Sequence, residues 1–263
     1  MEACIFKNEK DLDKKTPIYK YMSIESFLFI LKYKQVVFSK ITTWPDAYEG
    51  ARFEFFKQIH KDDNYSDKTK DNFFGCSWSL QTENSCFYSD HKEHQEAEEE
   101  LQVCGSASMW EAYCKQGGVR IKTTIEKLES ILTSQINDFG AYRGIVHYEP
   151  SNYWNKTLSS SGLISKLFIK RVSFRHESEY RFILVTKENI KADRIFFDVG
   201  RLFDFVDEFL ISPATRRNEW ISRMLYHYAV STSVAIDIPG TNSKNGKQYC
   251  RISNLYGNIS EEV

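Results

Sequence analysis

The stretch that decides the fold is FRHESEYRFILV, at positions 174–185. Glu177 and Glu179 lie two residues apart, Arg181 follows, and the chain then becomes apolar. In an extended strand these three charged side chains share one face, and both faces are apolar after the arginine. A strand that is apolar on both faces is typical of the centre of a sheet. The sequence therefore predicts a buried central strand whose charged end lies at the rim, beside a cleft.

The charged end of this strand has two interpretations. A carboxylate in a pocket can bind a ribose hydroxyl and stabilise an oxocarbenium-like transition state. Two neighbouring carboxylates also raise each other's pKa, and Arg181 opposes that effect. The other interpretation is an ion-paired strand end on a solvated rim, since a Glu-x-Glu motif alone is only a hypothesis. The pattern leaves both open.

The composition limits the class of protein. The chain has 263 residues, of which 41% are hydrophobic, enough to bury a sizeable core. Lys and Arg number 35 against 36 Asp and Glu, so no global positive field draws the protein to nucleic acid or membrane, although a local basic groove is open. No run is long and apolar enough to span a bilayer. Six cysteines without a CxxC motif, and a charged start without a signal-peptide pattern, predict a cytoplasmic protein with free thiols.

The order of apolar patterns predicts the organisation of the chain. Strand-like and helix-like segments interleave, and some spacings resemble hairpins, which favours an α+β fold with a mixed, mostly antiparallel sheet flanked by helices. We expect one domain over 17–255, with a polar insertion at 81–105. A polar lead-in at 1–16 precedes the domain, and a tail at 256–263 follows it.

Several elements are predicted locally. Ser23 is placed to cap a helix whose buried face is formed by Ile24, Phe27, Leu28 and Leu31. Strands are expected at 35–41, 72–80 and 144–149. Thr124 is placed to cap a second helix.

The segment IYKYMS (18–23) is a second candidate site. On a strand, Tyr19 and Tyr21 project together and Lys20 projects to the opposite face. The aromatic rings could sandwich a nicotinamide or a base, and the lysine could hold a phosphate or ribose oxygen. The other interpretation, also open, is that the two tyrosines only fill the core and the lysine is solvated.

The loop WPDAYEG (44–50) offers Asp46 and Glu49 after a strand. Loops carry function more often than the framework that supports them. The alternative is that Pro45 and Asp46 only form a turn.

Metal and nucleophilic chemistry have little support in the sequence. A zinc site would draw on Cys76, Cys86, His91, His94 and Cys104, but their spacings match no zinc template, so we expect no metal. The chain has no G-x-S-x-G, no G-x-x-x-x-G-K-[ST] and no G-x-G-x-x-G motif. Hydrolase, phosphate-loop and Rossmann interpretations are weakened accordingly.

Four segments, taken in order, resemble the motifs of the bacterial domain-of-unknown-function family 2971. They are YKYMSIESFLFILKYKQVVFSKITTWPDAYEG (19–50), CSWSL (76–80), MWEAYCKQGGVRI (109–121) and FRHESEYRFIL (174–184). The likeness covers roughly the predicted domain. The ordered set is more specific than any single segment.

A looser resemblance concerns function. The opening strand, helix and strand are similar to the start of DarT-like ADP-ribosyltransferases. This resemblance implies NAD as substrate, cleavage of its nicotinamide–ribose bond, and transfer of ADP-ribose to a macromolecule or to water, without a metal. The hypothesis makes Glu179 the catalytic carboxylate, with Glu177 orienting the acceptor and Arg181 fixing both glutamates. It assigns the lining of the pocket to Tyr19, Lys20, Tyr21, Trp110 and Tyr113.

Two further hypotheses stay open at this point. The chain could be a non-catalytic module that binds a nucleotide or a partner protein, with its glutamates only holding the sheet edge. Nucleic-acid binding through the basic stretches at 166–175 and 215–223 is the third hypothesis. The transferase hypothesis requires Tyr21 and Glu179 to face one cleft.

Overall fold

The structure, a computed structural model, describes residues 7–8, 12–44, 72–81, 91–136, 139–150, 163–187, 190–213, 220, 223–224, 227 and 250–253. The fold is α+β, as the sequence predicts, and its strands pair mostly antiparallel. None of the described helices has the length and apolar character needed to cross a membrane.

The described strands are β1 (Lys7–Asn8), β2 (Pro17–Ser23), β3 (Gln35–Lys40), β4 (Phe73–Ser79), β5 (Gly118–Thr124), β6 (Phe139–Ile145), β7 (His147–Glu149), β8 (Ile169–Arg171), β9 (Glu179–Thr186), β10 (Arg194–Asp198), β11 (Glu208–Ile211) and β12 (Cys250–Ile252). The described α-helices are α1 (Ile24–Tyr33), α2 (His91–Cys104), α3 (Ala107–Tyr113), α4 (Ile125–Gln135), α5 (Leu163–Lys166) and α6 (Leu202–Phe205). Short 3₁₀ helices span Ile41–Thr43 and Val172–Glu177.

The chain divides into two compact units, each assembled from separate segments. The first contains Met1–Thr16, Val36–Ser79 and Leu128–Phe197, and the second contains Pro17–Gln35, Leu80–Lys127 and Asp198–Val263. The single domain expected over 17–255 stays a prediction.

In the first unit β9 is a central strand. The strand order is β1-β6-β9-β4, and β3 pairs with β4 and β10. Ile183 of β9 lies opposite Tyr142 of β6 on one side and Gly75 of β4 on the other, both antiparallel. Seven of the eight residues of β9 are buried and Val185 is partly buried, which confirms the predicted central strand. Its side chains pack into a core formed by Ile41, Phe73, Leu167, Phe168 and Ile183.

In the second unit the strand order is β2-β5-β11-β12, antiparallel except for the last pair. Helix α1 packs against β2 and β5, and α3 packs against β2. The turn before β5 uses Gly117 at φ 97°, the left-handed region that favours glycine, as the sequence predicts. The next residue, Gly118, leaves no room for a side chain, since a Cβ there would lie 2.7 Å from the Cys114 sulfur.

The predicted N-terminal caps of α1 and α4 are confirmed, but the predicted buried face of α1 is partly wrong. Ser23 accepts a hydrogen bond from the Ser26 backbone N–H at 3.3 Å, and Thr124 caps α4 through the Lys127 N–H at 3.3 Å. The predicted buried face of α1 is wrong at Leu28, which is 37% exposed, while Ile30 is buried in its place. An apolar arc wider than the contact surface leaves one edge in solvent.

Ser23→Ala tests the cap of α1. The substitution removes the acceptor for a helix N–H, so we expect a loss of about 1 kcal/mol in the free energy of unfolding, measured by urea denaturation. Ser26→Ala, inside the same helix, is the matched control and should change stability by less than about 0.5 kcal/mol, because alanine is the better helix former. Equal losses in the two variants would contradict the assignment of Ser23 as the cap.

Candidate functional site

The Glu-Ser-Glu segment is not one extended strand. Glu177 ends the 3₁₀ helix Val172–Glu177, Ser178 adopts a left-handed conformation at φ 42°, and β9 begins only at Glu179. We expected Glu177, Glu179 and Arg181 to share one face of a single strand. This expectation is wrong at Glu177, which precedes the strand. The left-handed residue turns the backbone between the two glutamates.

Glu179 and Arg181 form a buried, two-point ion pair. The Arg181 Nε donates to Glu179 Oε1 at 2.6 Å, and its terminal NH2 donates to Oε2 at 2.8 Å. The remaining terminal nitrogen donates to the backbone carbonyl of Leu167. Glu179 is 2% exposed and Arg181 is 0% exposed. This fork geometry is the strongest arrangement available to a carboxylate and a guanidinium.

A second cation joins the two glutamates. The Lys170 ammonium lies 2.5 Å from Glu177 Oε2 and 3.4 Å from Glu179 Oε2. Lys170 is on β8 and is 6% exposed, and Glu177 is 7% exposed. The two carboxylates therefore share two cations, so neither charge is buried without compensation.

The pKa values of the cluster follow from these contacts. Burial alone raises the pKa of the Glu179 carboxyl, but the charge and hydrogen bonds of Arg181, followed by Lys170 and Ser77, outweigh burial and lower it to about 2. Tyr148, whose hydroxyl accepts the Glu179 backbone N–H at 2.8 Å, has its pKa raised by burial and by the negative charge of Glu179. Glu179 is thus a permanent anion and Tyr148 a neutral phenol at physiological pH.

This geometry corrects the expectation that Glu179 stands at a cleft. Its two oxygens are occupied by the guanidinium and the ammonium, and its side chain has almost no contact with solvent. A sugar ring cannot reach the carboxylate without breaking a buried ion pair. The arrangement matches the ion-paired interpretation of the motif, although the pair lies inside the unit and not on a solvated rim.

Trp44 covers the arginine of this cluster. Its ring lies 4.6 Å from the Arg181 guanidinium carbon, and its indole N–H donates to Ser39 Oγ at 2.9 Å. Gly75 on β4 makes room for the indole, since a Cβ there would lie 2.8 Å from Trp44 Cη2. The glycine, the tryptophan and the arginine thus fit together on one face of the sheet.

In the second unit the aromatic residues of β2 belong to a buried polar network. Tyr19 is 1% exposed and packs against Arg120, whose guanidinium carbon is 4.6 Å from the ring centre. Arg120 is wholly buried and donates to Gln81 Oε1 at 2.7 Å and to Glu208 Oε1 at 2.9 Å. Two backbone carbonyls at the end of α2 also accept from this arginine. The guanidinium therefore satisfies the orphan carbonyls of a helix C-terminus.

Tyr21 and Trp110 close the same network. Their ring centres are 4.7 Å apart, edge to face, and both residues are buried. The Tyr21 hydroxyl accepts the Ser106 backbone N–H at 2.8 Å, and burial raises the pKa of this phenol. Gly105, at φ 80°, leaves room for both rings, since a Cβ would lie 2.7 Å from the Trp110 nitrogen. Both rings belong to a buried core cluster with Met109, Cys114 and Leu210.

The remaining predicted pocket residues are placed differently. Lys20 is partly exposed, and Tyr113 is 44% exposed at the end of α3. Tyr21 belongs to the second unit and Glu179 to the first. The common cleft for these two residues stays a prediction.

The loop and zinc interpretations of the sequence depend partly on residues that the structure does not describe. Asp46, Glu49 and Cys86 lie outside the described residues. Across the part of the chain that the structure describes, no three His, Cys, Asp or Glu side chains are grouped to hold a metal ion.

A surface hollow of about 510 Å³ lies in the first unit, where the sequence analysis named no residue. It is lined by Thr43, Ala192, Asp193, Arg194 and Phe196. Four of these have small or charged side chains in exposed positions, and the Phe196 ring is 43% exposed. The hollow thus presents a cation, a carboxylate, a hydroxyl and an aromatic ring to solvent.

Sequence reasoning missed Lys170 and the hollow for different reasons. Lys170 lies in the segment LFIKRV directly before Arg171, and no local pattern shows which of the two cations is the buried counter-ion. The hollow joins residue 43 to residues 192–196, and no local pattern reports a contact over that sequence separation.

Comparison of the chain with family models, with curated proteins and with solved structures gives no match. The resemblance to the family of unknown function and to DarT-like enzymes therefore stays a prediction.

Glu179→Gln tests the ion pair through its pH dependence. Because the folded-state pKa is lowered to about 2 from an ordinary value of 4.5, the contribution of Glu179 to stability is full above pH 4.5 and is lost as pH falls towards 2. Removing one partner of a buried pair costs about 3–5 kcal/mol near neutrality. The stability difference between wild type and variant, from urea denaturation, should shrink by about 3 kcal/mol between pH 7 and pH 2. A difference that is constant with pH would contradict the buried pair.

Proposed function

We propose that the chain is a non-catalytic, nucleotide-binding module whose ligand occupies the hollow at Thr43, Asp193, Arg194 and Phe196. The hollow carries this proposal, because a cation, a carboxylate and an aromatic ring in its lining can each contact one part of a nucleotide. Its volume of about 510 Å³ is within the range of about 300–1,000 Å³ that is usual for small-molecule sites.

Each part of a mononucleotide has a partner in the hollow. The Arg194 guanidinium can hold a phosphate through two parallel hydrogen bonds, as a planar fork does best. The Phe196 side chain, which is 43% exposed, can contact a base through the solvent-accessible part of its ring. The Asp193 carboxylate can accept hydrogen bonds from ribose hydroxyls. The ligand class is thus a nucleoside monophosphate, either free or as one half of NAD.

The described geometry favours this module over the transferase hypothesis. A transferase needs a carboxylate that faces the ribose of NAD, and Glu179 is 2% exposed with both oxygens bonded. The partners of Glu179 are two buried cations, which supports a structural role for the motif.

Binding of AMP and NAD by isothermal titration calorimetry tests the proposal. Wild type should bind both, and Arg194→Gln should weaken each about tenfold, because a hydrogen bond to a charged group contributes about 1.5–3 kcal/mol. Arg175→Gln is the matched control: it is an exposed arginine of the same unit that does not line the hollow, and it should bind like wild type. The Kd for adenosine, which lacks the phosphate, should be the same for wild type and Arg194→Gln. Absence of AMP binding to wild type, or equal weakening by both arginine variants, would contradict the proposal.

Nicotinamide release from labelled NAD separates the module from the transferase. Wild type should release no more nicotinamide than a protein-free blank. Release by wild type that is absent from a folded Glu179→Gln variant would establish the transferase instead, and the hollow would then need another role.

A further inference from the structure

The two sides of the hollow are tied to a single residue of β3. The Lys40 backbone N–H donates to the Asp193 carbonyl at 2.8 Å, and the Lys40 carbonyl accepts from the Thr43 hydroxyl at 2.7 Å. Asp193 and Thr43, two residues that line the hollow, are thus both hydrogen-bonded to the backbone of Lys40. The Thr43 side of the hollow is carried by the short 3₁₀ helix Ile41–Thr43, which follows Lys40.

Trp44 ends that 3₁₀ helix and fixes it to the sheet. Its backbone N–H donates to the Ile41 carbonyl at 3.1 Å, so its backbone is held to the turn that carries Thr43. The indole in turn donates to Ser39 and covers the Arg181 guanidinium. Since the guanidinium is held by Glu179, the position of the indole is determined by the buried ion pair.

Gly75 completes the seat of the indole. A Cβ at this position would lie 2.8 Å from Trp44 Cη2 and 3.2 Å from Ile183 Cδ1. A rigid indole held on two other sides cannot yield by a rotamer change alone. An alanine at position 75 must therefore displace the Trp44 indole, and we expect this displacement to disturb the turn that Trp44 ends.

We infer that Trp44, seated over Gly75 and on Arg181, is a positioning residue that holds the Thr43 side of the nucleotide hollow in its binding geometry. The inference rests on the proposed function. It also gives the Glu179–Arg181 pair an indirect role in binding. The pair holds the guanidinium on which the Trp44 ring lies, and Trp44 holds the turn that carries Thr43. A preformed wall lowers the ordering cost of binding, so loss of the seat should weaken binding even in a folded protein.

Gly75→Ala, compared with Gly140→Ala, tests the inference. Both glycines lie in strands of the first unit, but a Cβ at Gly140 meets nothing closer than 3.5 Å, at Tyr142 Cε2. The Kd for AMP is measured by calorimetry at a temperature at which circular dichroism shows every variant to be folded. Gly75→Ala should raise the Kd about tenfold, and Gly140→Ala should leave it unchanged.

Two more variants separate positioning from stability alone. Leu132→Ala removes a wholly buried side chain of α4 and should lower the melting temperature without changing the Kd. Trp44→Phe keeps a ring on the guanidinium but loses the indole N–H, so its Kd should lie between those of wild type and Gly75→Ala; it also replaces Gly75→Ala if that variant does not fold.

The outcomes distinguish this inference from the proposed function. If wild type binds AMP and Arg194→Gln weakens binding, but Gly75→Ala and Trp44→Phe bind like wild type, the positioning role is overturned and the nucleotide site stands. If Leu132→Ala weakens binding as much as Gly75→Ala, the effect is one of stability and the positioning role is likewise overturned. If wild type does not bind AMP, both proposals fail together.

Discussion

The first unit depends on the ion pair between Glu179 and Arg181 at the start of its central strand. Burying a guanidinium removes a strongly hydrated cation from water, and this is tolerated only when its donors are occupied. Here the carboxylate takes two donors, the Leu167 carbonyl takes a third, and the Trp44 ring covers the face. Lys170 then balances the second glutamate. Loss of the Glu179 carboxylate would remove the acceptor for two of the buried Arg181 donors.

The second unit solves a similar problem with a similar residue. Arg120 is also wholly buried, and it is compensated by one carboxylate, one side-chain amide and the carbonyls at the end of α2. In each unit a residue that suggested a catalytic pocket, Glu179 in the first and Tyr19 in the second, contacts a buried arginine. Charged and aromatic residues in one motif are thus as characteristic of a polar core as of an active site. Among the described residues, the hollow near β10 has exposed polar, charged and aromatic side chains in its lining.

The sequence predicted the elements better than their surroundings. The two-sided apolar run after Arg181 sufficed to place β9 at the centre of a sheet, because only a strand with neighbours on both edges buries both faces. The caps at Ser23 and Thr124 were readable because they depend on residues within one turn. The turn at Ser178 was not readable, since a serine in the left-handed region has no local signature. The burial of Glu179 was not readable either: it depends on Lys170 and Trp44, which alternation within one strand does not reveal.

Glu179 is a buried structural anion whose carboxylate is held by Arg181 and Lys170. The most direct measurement is a carbon-13 NMR titration of its side-chain carboxyl, with the resonance assigned by its absence from Glu179→Gln. A carboxyl held by Arg181 and Lys170 should keep its ionised chemical shift from neutral pH to below pH 3, with or without added NAD. Titration near the ordinary value of 4.5, or a shift caused by NAD, would show a carboxylate open to solvent or ligand and would contradict the account.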